Sequence, residues 1–124
     1  MSNDDPLRGV QLRKHPRLSV SFPLTFLVDG DSRMREGRSV DIGAGGMHFE
    51  SSDRVAPRSA LTICFGLRPG LSLQLRAHVI SVASQPAKRM HHYRVVFDEV
   101  PDHVREAIMS HVNDAWRAAL MSKM

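Results

Sequence analysis

Residues 18–28, LSVSFPLTFLV, place an apolar side chain on every second position: Leu18, Val20, Phe22, Leu24, Phe26 and Val28. Successive strand side chains point to opposite sides, so this period of two predicts one long strand with a single buried face. Pro23 falls on the other face and has no amide hydrogen to donate, which marks an edge or a bulge there. The aspartates and glycines of VDGDSRMREG then predict a turn.

The alternation resumes in RSVDIGAGGMHFES, where Val40 and Ile42 precede a glycine cluster and Met47 and Phe49 follow it. This predicts two short strands around a tight connection. LTICFGL (61–67) alternates through Leu61, Ile63, Phe65 and Leu67, and RPG closes it. Residues 71–79 alternate through Leu71, Leu73, Leu75, Ala77 and Val79. The phase then slips by one at Ile80 and Val82, as a β-bulge produces. SQPAKRMHH reads as a loop, and YRVVFDEV as a last strand with Tyr93, Val95 and Phe97 inward.

After Pro101 the period changes. Val104, Ile108, Val112, Ala115 and Ala119 recur every three to four residues, the spacing of an amphipathic helix, and Trp116, Leu120 and Met121 widen its apolar face. Pro101 and Asp102 suit a helix N-terminus. The whole predicts a mainly β fold: a small six-stranded antiparallel barrel with a C-terminal α-helix packed on it. Residues 1–12, without apolar alternation, are expected to form a flexible N-terminal segment, residues 13–100 the barrel domain, and 101–124 the helix.

At 124 residues the chain has room for one domain with a real core. The net charge of +4 favours an anionic partner, and of the 17 basic residues 14 are arginine. Arginine presents a flat fork suited to phosphate or guanine, although a skewed genome composition produces the same bias. The single cysteine, Cys64, permits no internal disulfide and sits in no metal-ligand pattern. The first ten residues carry no apolar stretch of a signal peptide, and no run of 18 apolar residues spans a membrane. These features predict a soluble cytoplasmic protein.

Catalysis has little support. There is no nucleophile elbow, no paired-carboxylate spacing and no metal-binding pattern, and the seven histidines read most simply as solvated or satisfied side chains, with His91 and His92 as a loop pair. Two stretches are more informative. In QLRKHPRLSV, Arg13 and Arg17 are four apart, but Pro16 opposes a helix and pushes His15 toward extended geometry. The two forks are then spread over roughly 13 Å instead of crowding one helix face. In DIGAGG, Gly43, Gly45 and Gly46 allow backbone to approach a ligand or to turn tightly, and Asp41 is either an acceptor for two donors or a turn residue.

Together the two stretches resemble the PilZ domain family, whose pattern is R-x-x-x-R ahead of the first strand and D/N-x-S-x-x-G some twenty residues later. Here the motifs read Arg13-Lys14-His15-Pro16-Arg17 and Asp41-Ile42-Gly43-Ala44-Gly45-Gly46, and the resemblance continues through GGMHFES and YRVVFDEV. It covers roughly residues 11–100. The resemblance implies a six-stranded barrel and a non-enzymatic receptor for the bacterial second messenger cyclic di-GMP. It implies ligand contacts at Arg8, Arg13, Lys14, Arg17, Asp41, Gly43 and Gly46, with no metal and no other cofactor. The ligand carries two phosphates and two guanines, and a guanidinium matches the O6 and N7 of guanine or stacks on its face. Ligand binding is expected to fold residues 8–17 over the barrel and to alter the surface seen by an unknown protein partner controlling motility, pili or exopolysaccharide.

Two positions depart from the family pattern. Gly43 stands where the pattern has Ser, removing one hydroxyl, and Val95 stands near a position that is often Gly in the last strand. The alternative is a PilZ-like adaptor that has lost the nucleotide. A nucleic-acid-binding barrel is disfavoured by an aromatic content of 6%, because single-strand binders depend on stacking platforms.

Overall fold

The computed structural model describes residues 17–122. The flexible segment expected over residues 1–12 lies outside them, as do Arg8, Arg13 and Lys14. The described residues form seven strands: β1 (Arg17–Ser19), β2 (Pro23–Val28), β3 (Arg35–Gly43), β4 (Gly46–Ser51), β5 (Ala60–Arg68), β6 (Leu71–Gln85) and β7 (Met90–Phe97). A 3-10 turn, Pro86–Lys88, joins β6 to β7, and the helix α1 (Asp102–Ser122) follows. All pairings are antiparallel in the order β3-β2-β5-β6-β7-β4, and β4 returns to pair with β3. That closure leaves a six-stranded barrel with no open edge, and β1 is an extra strand beside the end of β3.

The predicted single strand over 18–28 is broken into β1 and β2, both lying along one edge of β3. Arg17–Ser19 face Asp41–Gly43, and Pro23–Phe26 face Arg35–Arg38. Pro23 opens β2, where its missing donor is tolerated. Ser39, buried opposite the break, repairs it: its Oγ accepts from the Phe22 amide (2.9 Å) and donates to the Val20 carbonyl. In β5, β6 and β7 the alternation and the structure agree, whereas β3 starts at Arg35, inside the predicted turn, and buries Ser39 and Ile42 but not Val40. The phase slip in β6 is a real register shift between Val79 and Ser81 that turns Ile80 outward, 55% exposed.

The inward positions of six strands fill the barrel, and Phe26, Phe49 and Tyr93 form a tilted aromatic column with centroids 5.1 and 5.3 Å apart. The Tyr93 hydroxyl donates to the Asp53 carbonyl (2.7 Å) and accepts from the Val55 amide (2.8 Å), so the loop after β4 is tied to the core. Burial holds the Tyr93 phenol above its ordinary pKa.

Helix α1 packs on β1 and β3 through buried Ile108 and Val112, with Val104 and Trp116 partly covered. Its last turns run past the barrel. Leu120 and Met121, expected to widen the packed face, are instead 62% and 67% exposed, because among the described residues the helix packs on β1 and β3 only through its earlier turns. Among the described residues, no helix is long and apolar enough to cross a membrane.

Candidate functional site

Asp41 owes its direction to a bulge. Ser39 pairs with Phe49 and Asp41 with His48, so Val40 is an extra residue on β3. Without it, Asp41 would oppose Met47, whose side chain is fully buried in the barrel. A shift of one residue exchanges the two faces of a strand, and this one sends the carboxylate to the outer wall while returning Ile42 to the core.

On that outer wall Arg17 meets it. Arg17 is the first residue of β1, and its Nη1 donates to Asp41 Oδ1 across a sequence separation of 24. Both side chains are partly open to solvent, so they are reachable by a ligand without being fully hydrated. The backbone of Arg17 is fixed from the other side by the Trp116 indole, which donates to the Arg17 carbonyl (3.2 Å).

Gly46 and Gly43 adjoin this pair. A Cβ on Gly46 would stand 2.2 Å from the Val95 carbonyl oxygen and 3.4 Å from Arg17 Nη2. Glycine is therefore required there by the approach of β7, and the bare backbone also leaves room for the guanidinium. Gly43 is buried opposite Arg17 at the end of β3. The left-handed glycines among the described residues are Gly30 and Gly70, so close approach, not positive φ, accounts for Gly46. The connection Ala44–Gly45 docks on the barrel end, with the Gly45 carbonyl accepting from the Phe97 amide (3.0 Å).

Sequence reasoning missed a polar chain beside Asp41. His48 Nδ1 is 3.7 Å from Asp41 Oδ2, and its Nε2 is 3.0 Å from His92 Nδ1. His92 Nε2 in turn faces Gln85 Oε1 at 3.1 Å and Glu50 Oε2 at 3.6 Å. His91 and His92 are thus not a loop pair: both lie in β7, which begins three residues before the predicted strand. Extending the phase of Tyr93 and Val95 backwards along β7 puts His92 and Arg94 on one outer face, the signal that was available. Burial lowers the His48 pKa, helped by the charges of Arg94 and Arg17 and by His92 whenever its ring is protonated, and opposed by Asp41.

His48, His92 and Arg94 line a groove of about 330 Å³ with Ser81, Ala83 and Gln85 of the β6 extension. A larger depression of about 630 Å³ between β2, β3, β4 and β5 contains neither Arg17 nor Asp41. Its lining sets Glu36 and Glu50 against one arginine, Arg38, which does not suit an anion. Neither residue lines the smaller groove, but His48 on its wall stands 3.7 Å from Asp41 and joins it to the Arg17–Asp41 pair, so groove and pair together are the candidate site.

Known proteins match the chain in two ways, by family and by fold. The PilZ domain model matches residues 11–114. Among solved structures, the inhibitor of motility MotI/DgrA of Bacillus subtilis superposes with a TM-score of 0.72 at 14% identity, over 86% of this chain and 51% of that one. YcgR of Escherichia coli, solved in complex with c-di-GMP, gives 0.72 at 15% identity over 90% and 49%. The PilZ domain of the same YcgR with c-di-GMP gives 0.67 at 17% identity over 90% and 96%. The chain therefore spans about half of MotI/DgrA and of whole YcgR, and nearly all of the isolated YcgR domain. No protein of curated function matches the chain in sequence.

Proposed function

We propose that this chain, which belongs to the PilZ domain family, is a cytoplasmic receptor for cyclic di-GMP: a binding protein and not an enzyme, acting on a protein partner. The observation that carries the reading is the Arg17–Asp41 pair, held on the outer wall by the Val40 bulge and left uncrowded by Gly46. A guanidinium and a carboxylate side by side offer donors and acceptors together. Guanine offers the complement, with O6 and N7 accepting and N1 and N2 donating. The partly exposed pair can exchange its mutual contact for the ligand without stripping a full hydration shell.

In this reading Arg8, Arg13 and Lys14 contribute from the segment ahead of β1, which wraps over the nucleotide and bears on its phosphates. Gly43 supplies backbone where the family pattern supplies a hydroxyl. The similarity to a domain solved with c-di-GMP supports the choice of ligand. The wrapped segment and α1, both joined to β1, form the surface a partner controlling motility, pili or exopolysaccharide would read.

A second reading is an adaptor that binds no nucleotide. It is favoured by the Arg17 fork being already engaged by Asp41, and by the missing hydroxyl at Gly43. Calorimetric titration with cyclic di-GMP, GTP and a random oligonucleotide decides between them. The receptor binds the first alone, and Arg17→Ala weakens that binding by about 30-fold or more, the loss of a charge-assisted bidentate contact. Arg17→Lys fails nearly as badly because an ammonium cannot form the fork. Absence of cyclic di-GMP binding leaves the adaptor.

A further inference from the structure

His48 and His92 form a bridge between two carboxylates, and with both rings neutral it is one proton short of filling every gap. From Asp41 to Glu50 the order is Asp41 Oδ2, His48 Nδ1, His48 Nε2, His92 Nδ1, His92 Nε2, then Glu50 Oε2 and Gln85 Oε1. Three gaps along the bridge can each hold a hydrogen, and two neutral imidazoles carry two. The 3.0 Å contact between the rings requires one of them. We assign the second to His92 Nε2, which has Gln85 Oε1 at 3.1 Å and the Glu50 carboxylate beyond it at 3.6 Å. His48 Nδ1 is then bare, its lone pair facing Asp41 Oδ2 at the longer distance of 3.7 Å.

A proton on His48 Nδ1 is disfavoured in the free protein by burial first and then by the positive charge around the ring, while Asp41 is already paired with Arg17. The groups facing it are Asp41 on β3, Arg17 on β1, and His92 and Arg94 on β7, with Glu50 beyond His92 on β4; the facing β6 residues, Ser81, Ala83 and Gln85, do not titrate. Among the described residues no group of three histidines, cysteines or carboxylates is arranged to hold a metal ion.

We propose that ligand binding at Arg17 is coupled to uptake of one proton by the His48–His92 bridge. The inference rests on the receptor reading. When the ligand draws the Arg17 guanidinium from Asp41 and brings its own negative charge, the electrostatic opposition to a proton on His48 Nδ1 is weakened, although the burial of the ring remains. A proton fills that nitrogen, His48 becomes the cationic partner of Asp41, and Arg17 stays with the ligand. The bridge is a positioning device, and the receptor binds more tightly as pH falls through the imidazole range.

Two measurements test this. In the ligand-free protein, NMR titration of the imidazole nitrogens is compared between the parent and Arg17→Ala. Removing the guanidinium should raise the His48 midpoint by about 0.5 pH or more, and an unchanged midpoint overturns the coupling whether or not any nucleotide binds. In the second, cyclic di-GMP is titrated by calorimetry in buffers of different ionisation enthalpy between about pH 8 and pH 6. Expected are uptake of up to about one proton per ligand and an affinity that rises up to about tenfold per pH unit, both flattened in His48→Gln whatever its absolute affinity. Binding without proton uptake overturns the inference and leaves the receptor standing. No binding at any pH removes the receptor reading, and the ligand-free titration still decides the bridge.

Discussion

The indole of Trp116 donates a hydrogen bond to the backbone carbonyl of Arg17 (3.2 Å), joining positions 99 residues apart. The contact ties the C-terminal helix to the first residue of β1, whose side chain is paired with Asp41. Strand β1 has three residues and one strand neighbour, so it depends on the helix for its place.

Replacing Trp116 by Phe keeps most of the packing and removes that bond. A loss of about 1 kcal/mol in stability is expected. Amide exchange at residues 17–19 should accelerate more than in β5 or β6. Equal acceleration across the barrel would mean that the helix does not hold β1 in particular.

Gly46 cannot accept a side chain where it stands. Its Cβ would lie 2.2 Å from a backbone oxygen of Val95, and backbone paired on both sides has little room to retreat. Gly46→Ala is therefore expected to destabilise the barrel by about 3 kcal/mol or more, read as a lower midpoint in urea. A variant as stable as the parent would show that β4 and β7 can separate without penalty.

Tyr93→Phe deletes one oxygen from an otherwise intact core column. The Val55 amide and the Asp53 carbonyl both lose their partner, for an expected loss of about 1–3 kcal/mol. Protease sensitivity should appear first in the loop after Ser51. Thermal denaturation paired with limited proteolysis checks both parts.

His48 makes stability depend on pH. Its pKa in the fold lies below the ordinary 6.5, chiefly through burial, so the folded state holds fewer protons than the unfolded chain near that pH. Stability from this source is present above the unfolded value and is lost as pH falls through it toward the folded one. The ligand-free protein should lose melting temperature between about pH 7 and pH 5.5, and His48→Gln should lose less. Parallel slopes for the two proteins would remove His48 as the cause.

Much of the fold is legible in the alternation. Leu61 to Leu67 and Leu71 to Val79 read as strands, and the slip at Ile80 announced the bulge that the register confirms. The change of period after Pro101 located α1, whose buried positions Ile108 and Val112 lie four apart. The break between β1 and β2 was only hinted at by Pro23, because the apolar period runs through it undisturbed. Ser39, the residue that repairs it, resembles any other strand serine in sequence.

The sequence by itself determined which side chains can be buried together and where arginine, aspartate and glycine are placed for a polar ligand. Local periodicity carries that information, since it depends only on neighbours along the chain. Tertiary structure alone decided that Val40 is the extra residue turning Asp41 outward, that Gly46 meets Val95, and that His48 finds His92 at a separation of 44. Each depends on inter-strand register, which barrel closure imposes between segments far apart in the chain. A one-residue change in that register moves every side chain to the opposite face, and no local pattern encodes it.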